Sequence, residues 1–283
     1  MSTNRYLLKY YYIGLDKYHG SQRQKEHDSI EDEILDALLD KKYIEDASQA
    51  RVDFSSRTDK YVSARGASVA FDSLKEPILM EINSALPMEI GFWSWSEIPS
   101  NFSARHDALQ RHYKYIVSEP YSRLIEQSDL QLNLMVHACE LLEGTHDFLN
   151  FSKRSKEETR TIRTMDLAML SITDDYIVFD FKSQGFLRQQ IRRMVAKILE
   201  LGKSELLLKD FKAMFDASEY ISYEPADPRG LILWDIYFGE NVTFISDKKS
   251  LERMKRYFSV QQRKHALKNE LFKCLLEDGG HAN

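Results

Sequence analysis

The residues best placed to do chemistry lie in one stretch, Ser55-Ser56-Arg57-Thr58-Asp59-Lys60-Tyr61-Val62-Ser63-Ala64-Arg65-Gly66. A guanidinium and a carboxylate two residues apart could be held rigidly against each other and against a ligand. Asp59 could then act as an ionised nucleophile or a base. The plainer alternative is a surface carboxylate in a turn, where Thr58 and Asp59 bond to nearby backbone. Outside this stretch, Arg188 and Arg192 offer a pair of guanidinium groups, which suit planar, paired recognition of carboxylate or phosphate. Phe102-Ser103-Ala104-Arg105-His106 and Arg111-His112-Tyr113-Lys114-Tyr115 bring aromatic and basic side chains together. Aromatics that stack on bases, beside cations that hold phosphates, are what flipped or single-stranded nucleotides require. Lys153-Arg154-Ser155-Lys156 and Arg160 to Arg163 are further basic segments of the kind usually solvated. No P-loop, paired-glycine dinucleotide fingerprint or His-Glu-x-x-His motif is present.

The elements around these residues follow from periodicity. Val52 and Phe54 alternate with Arg51 and Asp53, and Ala67, Val69 and Phe71 alternate with Ser68, Ala70 and Asp72. A period of two on both sides predicts two strands of one sheet with Asp59 in their connection. Arg5 to Ile13 reads as a strand. Ser29-Ile30-Glu31-Asp32 resembles a capping box opening a helix to about Lys42. Pro77 opens a helix carrying Ile78, Ile82 and Leu86, and Ile90 to Trp95 is a strand. The second half repeats this order less clearly: a strand at Arg111 to Val117, then a helix at Leu130 to Leu142 with Leu134, His137, Ala138 and Leu141 on one face and Gly144 as its C-cap. Leu167 to Ile172 and Ile177 to Phe181 flank a turn at Thr173-Asp174-Asp175. A helix is expected from about Gly185 to Leu201, with Arg188 and Arg192 one turn apart beside the core stripe and Arg193 nearly opposite. Leu207 to Phe215 is a helix and Leu231 to Phe238 a closing strand. The fold class is therefore α+β: two β-α-β-β-α-β halves with a cleft between them. The expected divisions are 1–100 with the Asp59 loop, 101–240, and a charged helical extension at 241–283. That extension, with Leu267, Leu271 and Leu275 at helical spacing, is expected to pack on the body or to reach RNA or a partner.

Composition narrows the function classes. The chain has 283 residues, two cysteines and a formal net charge of -5. It can bury a core without disulfides. Cys139 and Cys274 lie far apart with no ligand-spaced His or Cys, which suggests neither a disulfide framework nor a zinc site. With no apolar signal region or spanning run, a cytoplasmic protein that does not enter membranes is expected. Residues 241–283 carry nine Lys and Arg against five acids, so the body is more acidic than the whole. A polyanion would have to be bound by local basic clusters.

At this point the motifs show a family resemblance. Arg57-Thr58-Asp59 with Val62-Ser63-Ala64 resembles the Arg-Thr-Asp-x-Gly-Val-(His or Ser)-Ala signature of the tRNA pseudouridine synthase A family. Tyr18-His19-Gly20-Ser21-Gln22-Arg23-Gln24, Phe102 to Arg105 leading to Tyr115, Gly185-Phe186-Leu187 leading to Arg192, and Gly230-Leu231-Ile232-Leu233 agree in order. The sequence departs from the family at Ser21, where many members have Trp, and at Tyr61, where the signature has Gly. Ser63-Ala64 is more similar to archaeal and eukaryotic members. The resemblance implies two ferredoxin-like halves in one long sheet, a homodimer gripping tRNA, and conversion of uridine to pseudouridine at positions 38 to 40 of the anticodon stem-loop without cofactor or metal. It further implies that Asp59 is the nucleophile, Arg192 its charged partner, and Arg57 the group that helps displace the base. Tyr113 would stack on the uracil, with a base role open to it only if its pKa is depressed. Leu231 would wall the pocket, with Arg105 and Arg188 on the RNA. Two other classes stay open: an inert RNA-binding protein of the same fold, and a small-molecule enzyme with a covalent Asp.

Overall fold

The computed structural model describes residues 3–154 and 160–276. Lys156 of the basic segment, and Glu277 and Asp278 of the extension, lie outside the described residues. The first half runs β1 (Asn4–Tyr12), α1 (Ile30–Asp40), β2 (Asp53–Phe54), β3 (Ser63–Ser73), α2 (Leu79–Asn83) and β4 (Ile90–Ile98). The second runs β5 (Gln110–Pro120), α3 (Tyr121–Gln127), α4 (Leu132–Leu142), β6 (Gly144–Asp147), β7 (Ile162–Thr173), β8 (Tyr176–Ser183), α5 (Gln190–Gly202), α6 (Leu208–Ala213) and β9 (Leu231–Tyr237). After it come β10 (Ile245–Ser246) and α7 (Lys248–Leu276).

All the strands join one ten-stranded sheet in the order β10-β4-β1-β3-β9-β5-β8-β7-β6, with β2 on β3. The pairings are antiparallel except one: β3 and β9 run parallel, with Ser63 opposite Ile232 and Ala64 opposite Leu233. Each half has the strand order of a ferredoxin-like unit, β4-β1-β3-β2 and β9-β5-β8-β7, so the α+β expectation holds. Both faces of β3 are covered. Ser68 and Ala70 are as buried as Val69 and Phe71. The alternation that revealed the strand therefore does not separate core from water.

Local chemistry explains several boundaries. The Ser29 hydroxyl accepts from the Asp32 amide at 3.3 Å while Asp32 accepts from the Ser29 amide at 3.2 Å, which is the capping box expected at α1. Asp174 and Asp175 form the two-residue turn between β7 and β8 with φ of 47° and 65°, the left-handed pair such a hairpin demands.

Five expectations are corrected. α4 buries Met135, Ala138, Cys139 and Leu142, one position round from the expected face. It does so because Met135 rests on Gly202, where a Cβ would lie 2.4 Å from the Met135 sulfur. Gly144 is left-handed (φ 95°), but it opens β6 instead of capping α4. α5 begins at Gln190, not Gly185, because Gln189 is left-handed and the Gln190 side chain accepts from the Leu187 amide at 2.7 Å. Arg188 therefore lies before the helix, exposed, and is not one turn from Arg192. Arg193, expected to face water, is buried, because the connection from α6 to β9 folds over it and sets Tyr223 4.9 Å from its guanidinium. Finally, only the first half of α7 packs on the body. Met254 joins Tyr11 and Trp93, and Arg253 donates to the Tyr11 hydroxyl at 2.6 Å and the Ile90 carbonyl at 3.0 Å. From residue 262 onward every described side chain of α7 is exposed, including Leu267, Leu271 and Leu275.

Candidate active site

The connection from β2 to β3 is held at its backbone and leaves one carboxylate facing outward. At its start, the Ser55 amide donates to the Ser68 carbonyl at 2.9 Å and the Ser55 hydroxyl accepts from the Ser68 amide at 3.1 Å. Further on, Ser21 clamps Thr58 from both sides: its amide donates to the Thr58 carbonyl at 3.1 Å, and its hydroxyl accepts from the Thr58 amide at 2.8 Å. That double contact fixes the backbone one residue before Asp59. The Tyr12 and Thr58 hydroxyls lie 2.6 Å apart. The β1-to-α1 segment can approach this closely because residue 20 is glycine: it has φ 101°, and a Cβ there would sit 2.8 Å from the Thr58 oxygen. Tyr61 itself has φ 71°. A side chain in that left-handed region costs about 1–3 kcal/mol, which the surrounding contacts must offset.

Asp59 meets Arg192 across the two halves. Arg192 Nη1 donates to Asp59 Oδ2 at 2.8 Å, and Arg192 Nε donates to the Ala226 carbonyl at 2.7 Å. The guanidinium is thus shared between a carboxylate and a carbonyl, where a fork on the carboxylate was expected. Its side chain is 9% exposed against 35% for Asp59. Among the described residues Asp59 Oδ1 has no hydrogen-bond partner, so one oxygen is aimed and anchored while the other faces outward.

Tyr113 on β5 lies beside this pair. Its ring is buried and meets Phe186 edge-on at 5.2 Å. Burial pushes its phenol up to about 12; Arg111 and the Ser56 hydroxyl oppose that shift, and the Asp59 charge adds to it. The depressed pKa that a base role requires is therefore not found, and at neutral pH the phenol carries its proton. Leu231 is buried at the start of β9, opposite Tyr115, and the β3–β9 pairing sets it next to the end of the Asp59 loop.

The remaining expected residues are more scattered. Arg57 is exposed and has no hydrogen bond or ion pair among the described residues. Arg105 is exposed and, with Arg111, Arg160 and Arg163, lines a cavity of about 980 Å³ that Asp59 does not line. Arg188 is exposed on the far side of the α5 start, its carbonyl accepting from the Lys153 amide at 2.9 Å.

Sequence reasoning named Arg111 only within a motif, yet it ties the cavity to the Asp59 loop. Its Nε donates to the Ser56 hydroxyl at 3.0 Å, its Nη2 to the carbonyls of Ser55 at 2.8 Å and Arg105 at 2.9 Å, and its Nη1 to the Gln184 carbonyl. Burial pulls its guanidinium below its ordinary value. The signal that could have found it is the period of two along β5, which puts Arg111 on the same face as Tyr113.

Residues 138–239 match the family model described as tRNA pseudouridine synthase, a class of isomerases. The chain is 33% identical over 246 residues to the tRNA pseudouridine synthase A of Methanothermobacter thermautotrophicus, covering 87% of this chain and 86% of that one. It is 34% identical over 277 residues to that of Methanosarcina acetivorans, covering 97% and 98%. The Archaeoglobus fulgidus protein of the same name is 28% identical, with 97% and 98% covered. The chain belongs to the tRNA pseudouridine synthase A family, and these relatives are archaeal, as Ser63-Ala64 suggested.

Proposed function

We propose that this isomerase converts uridine to pseudouridine in tRNA, at positions 38 to 40 of the anticodon stem-loop, with Asp59 as nucleophile. The observation that carries this reading is the half-anchored carboxylate, Oδ2 on Arg192 at 2.8 Å and Oδ1 without a partner among the described residues. Isomerisation breaks the bond from ribose C1′ to N1 of the base, turns the base, and forms the bond from C1′ to C5. N1 gains a proton, and the proton on C5 is lost. Asp59 Oδ1 attacks either the sugar or the ring, and the Arg192 contact to Oδ2 keeps the carboxylate aimed. The base must leave its stack to reach this depth. Arg57, exposed and without a hydrogen bond or ion pair among the described residues, helps displace it and takes a phosphate; Tyr113 stacks on the uracil and Leu231 walls the pocket. Because the Tyr113 phenol is neutral, the C5 proton goes to water or to another acceptor. Arg105, with the arginine-lined cavity, holds the RNA backbone; Arg188 adds a more distant phosphate contact.

Residues 1–100 and 101–240 act as the two halves of this machine and 241–283 as an extension. Two copies grip one tRNA in the cytoplasm. No described helix is long and apolar enough to cross a membrane. The test is release of tritium from tRNA labelled at uridine C5, without chain cleavage. The wild-type protein releases the label. Asp59→Asn, which removes charge and almost no volume, abolishes release and leaves tRNA affinity within a few fold. Wild-type protein that binds tRNA but releases nothing would reduce it to an inert RNA-binding member of the fold. An active Asp59→Asn variant would remove Asp59 from the role.

A further inference from the structure

Tyr61 is a residue of the Asp59 loop that the proposed chemistry does not use, and its surroundings point outward. Its backbone is left-handed (φ 71°), where glycine would be unstrained. Its ring is half-buried yet belongs to neither hydrophobic cluster. The contacts the structure gives that ring are cations: the Arg229 guanidinium 4.4 Å from its centroid and the Lys60 ammonium 5.0 Å away. Lys60 also lies 3.2 Å from His19 Nε2. Arg229 is presented by a firm turn. Asp227 accepts from the Arg229 amide at 2.9 Å, and Tyr115 donates to the Asp227 carbonyl at 3.0 Å. Gly230 is packed so closely that a Cβ would lie 2.4 Å from the Ile116 oxygen. The Arg229 side chain is 63% exposed, and its one anionic partner among the described residues is Asp227 at 3.2 Å, itself 47% exposed. An aromatic face with two cations beside it, two residues from Asp59, has the makings of a nucleotide site.

We propose that Tyr61, Arg229 and Lys60 form a second nucleotide subsite, which takes an RNA base flanking the flipped uridine on the Tyr61 ring and its phosphate on the two cations. This rests on the tRNA reading above. In the free protein the flat Arg229 guanidinium covers the ring where a base plane would lie. RNA displaces it to the ring edge, where it meets the phosphate, and Asp227 gives up a partner that it held in water. The αL strain at Tyr61 is tolerated because the ring works at the mouth of the site and not in the core.

The test measures binding of an unmodified tRNA transcript with uridine at 38, 39 and 40, and of the same transcript made abasic at single positions flanking the target. Wild-type affinity should fall about tenfold when the stacked base is removed. Tyr61→Gly should bind the intact transcript about tenfold more weakly and be indifferent to that same abasic change. Tyr61→Phe should behave as wild type. Thermal unfolding of Tyr61→Gly should stay level or rise, since glycine fits the backbone. The proposal is overturned if Tyr61→Gly binds as tightly as wild type, if every abasic change affects both proteins equally, or if the variant merely unfolds earlier, which would make the ring a strut between the halves. Label release from C5 is read separately on wild type. Binding that depends on Tyr61 without label release would leave the subsite standing and the isomerase reading fallen.

Discussion

At the scale of single residues, the site depends on a carboxylate whose two oxygens have different surroundings. Arg192 holds one of them through a single nitrogen and spends a second nitrogen on the Ala226 carbonyl. Lysine carries its three donors on one nitrogen and cannot reproduce two contacts made from separate nitrogens of a rigid plane. On the proposed role of Asp59, Arg192→Lys should therefore keep tRNA binding and lose about a hundredfold in single-turnover rate, the cost of a misaimed carboxylate. A Lys variant with most of its activity would mean that the charge matters and the fork does not. Tyr113 gives a second test. Its buried phenol is pushed up to about 12, so below pH 10 it is neutral and its titration contributes no rise in rate. Tyr113→Phe should be nearly normal and share the flat wild-type profile between pH 7 and 10. Tyr113→Leu should lose about 1–3 kcal/mol of base stacking. A wild-type rate that climbs through this range and flattens in the Phe variant would restore the hydroxyl as the base.

Elements were legible where the chain signals locally, and obscure where a distant segment decides. The two strands around Asp59, the capped start of α1 and the turn at Asp174-Asp175 could all be read, because alternation, a capping box and turn residues act over a few neighbours. Asp59, Arg192 and Tyr113 were legible as a set only through motif resemblance; nothing local ties residues so far apart in sequence. The turn of α4 about its axis depends on Gly202, and the burial of Arg193 on Tyr223; neither is visible from the helix's own sequence. Arg111 was obscured for a related reason: its partners are mostly backbone carbonyls, which carry no sequence signal. The β1–β3 pair shows how such distant contacts stabilise an element. Arg5 and Asp72 face each other in the register at 2.9 Å, and Arg5 also donates to the Phe102 carbonyl at 2.7 Å. Burial alone would push the Asp72 carboxyl up, but hydrogen bonds from Arg51 and Arg5 hold it below its ordinary value. Its ionised form thus stabilises the fold above the ordinary carboxylate pKa, and this contribution disappears as pH falls through the lower folded value. Urea unfolding should show wild type weakening below about pH 4, with a smaller acid dependence in Asp72→Asn. Arg5→Ala, which leaves the half-buried Asp72 carboxylate on Arg51 alone and the Phe102 carbonyl without its donor, should cost about 1–3 kcal/mol at neutral pH.

For the whole molecule, net charge and local charge point in different directions. The chain is acidic overall, at -5, yet four arginines line one cavity beside the reactive loop. Binding to tRNA should therefore weaken steeply with salt, because phosphate contacts release counterions whatever the net charge. Affinity that stays level between 50 and 200 mM salt, on the order of the range over which such contacts respond, would exclude the arginine cavity as an RNA surface. The sheet itself imposes an order of events during synthesis. Its two halves are joined by a parallel pairing of two residues on each strand, Ser63 and Ala64 with Ile232 and Leu233, which closes roughly 170 residues of chain. A nascent chain leaving the ribosome can complete the first half, Asp59 loop included, well before Arg192 and β9 have been made. Until then the carboxylate has no guanidinium to aim it and no pocket wall beside it. On the proposed chemistry, a half-made protein that met RNA would be chemically silent, and reactivity would begin only when the last strand of the second half had been translated and slotted in beside β3.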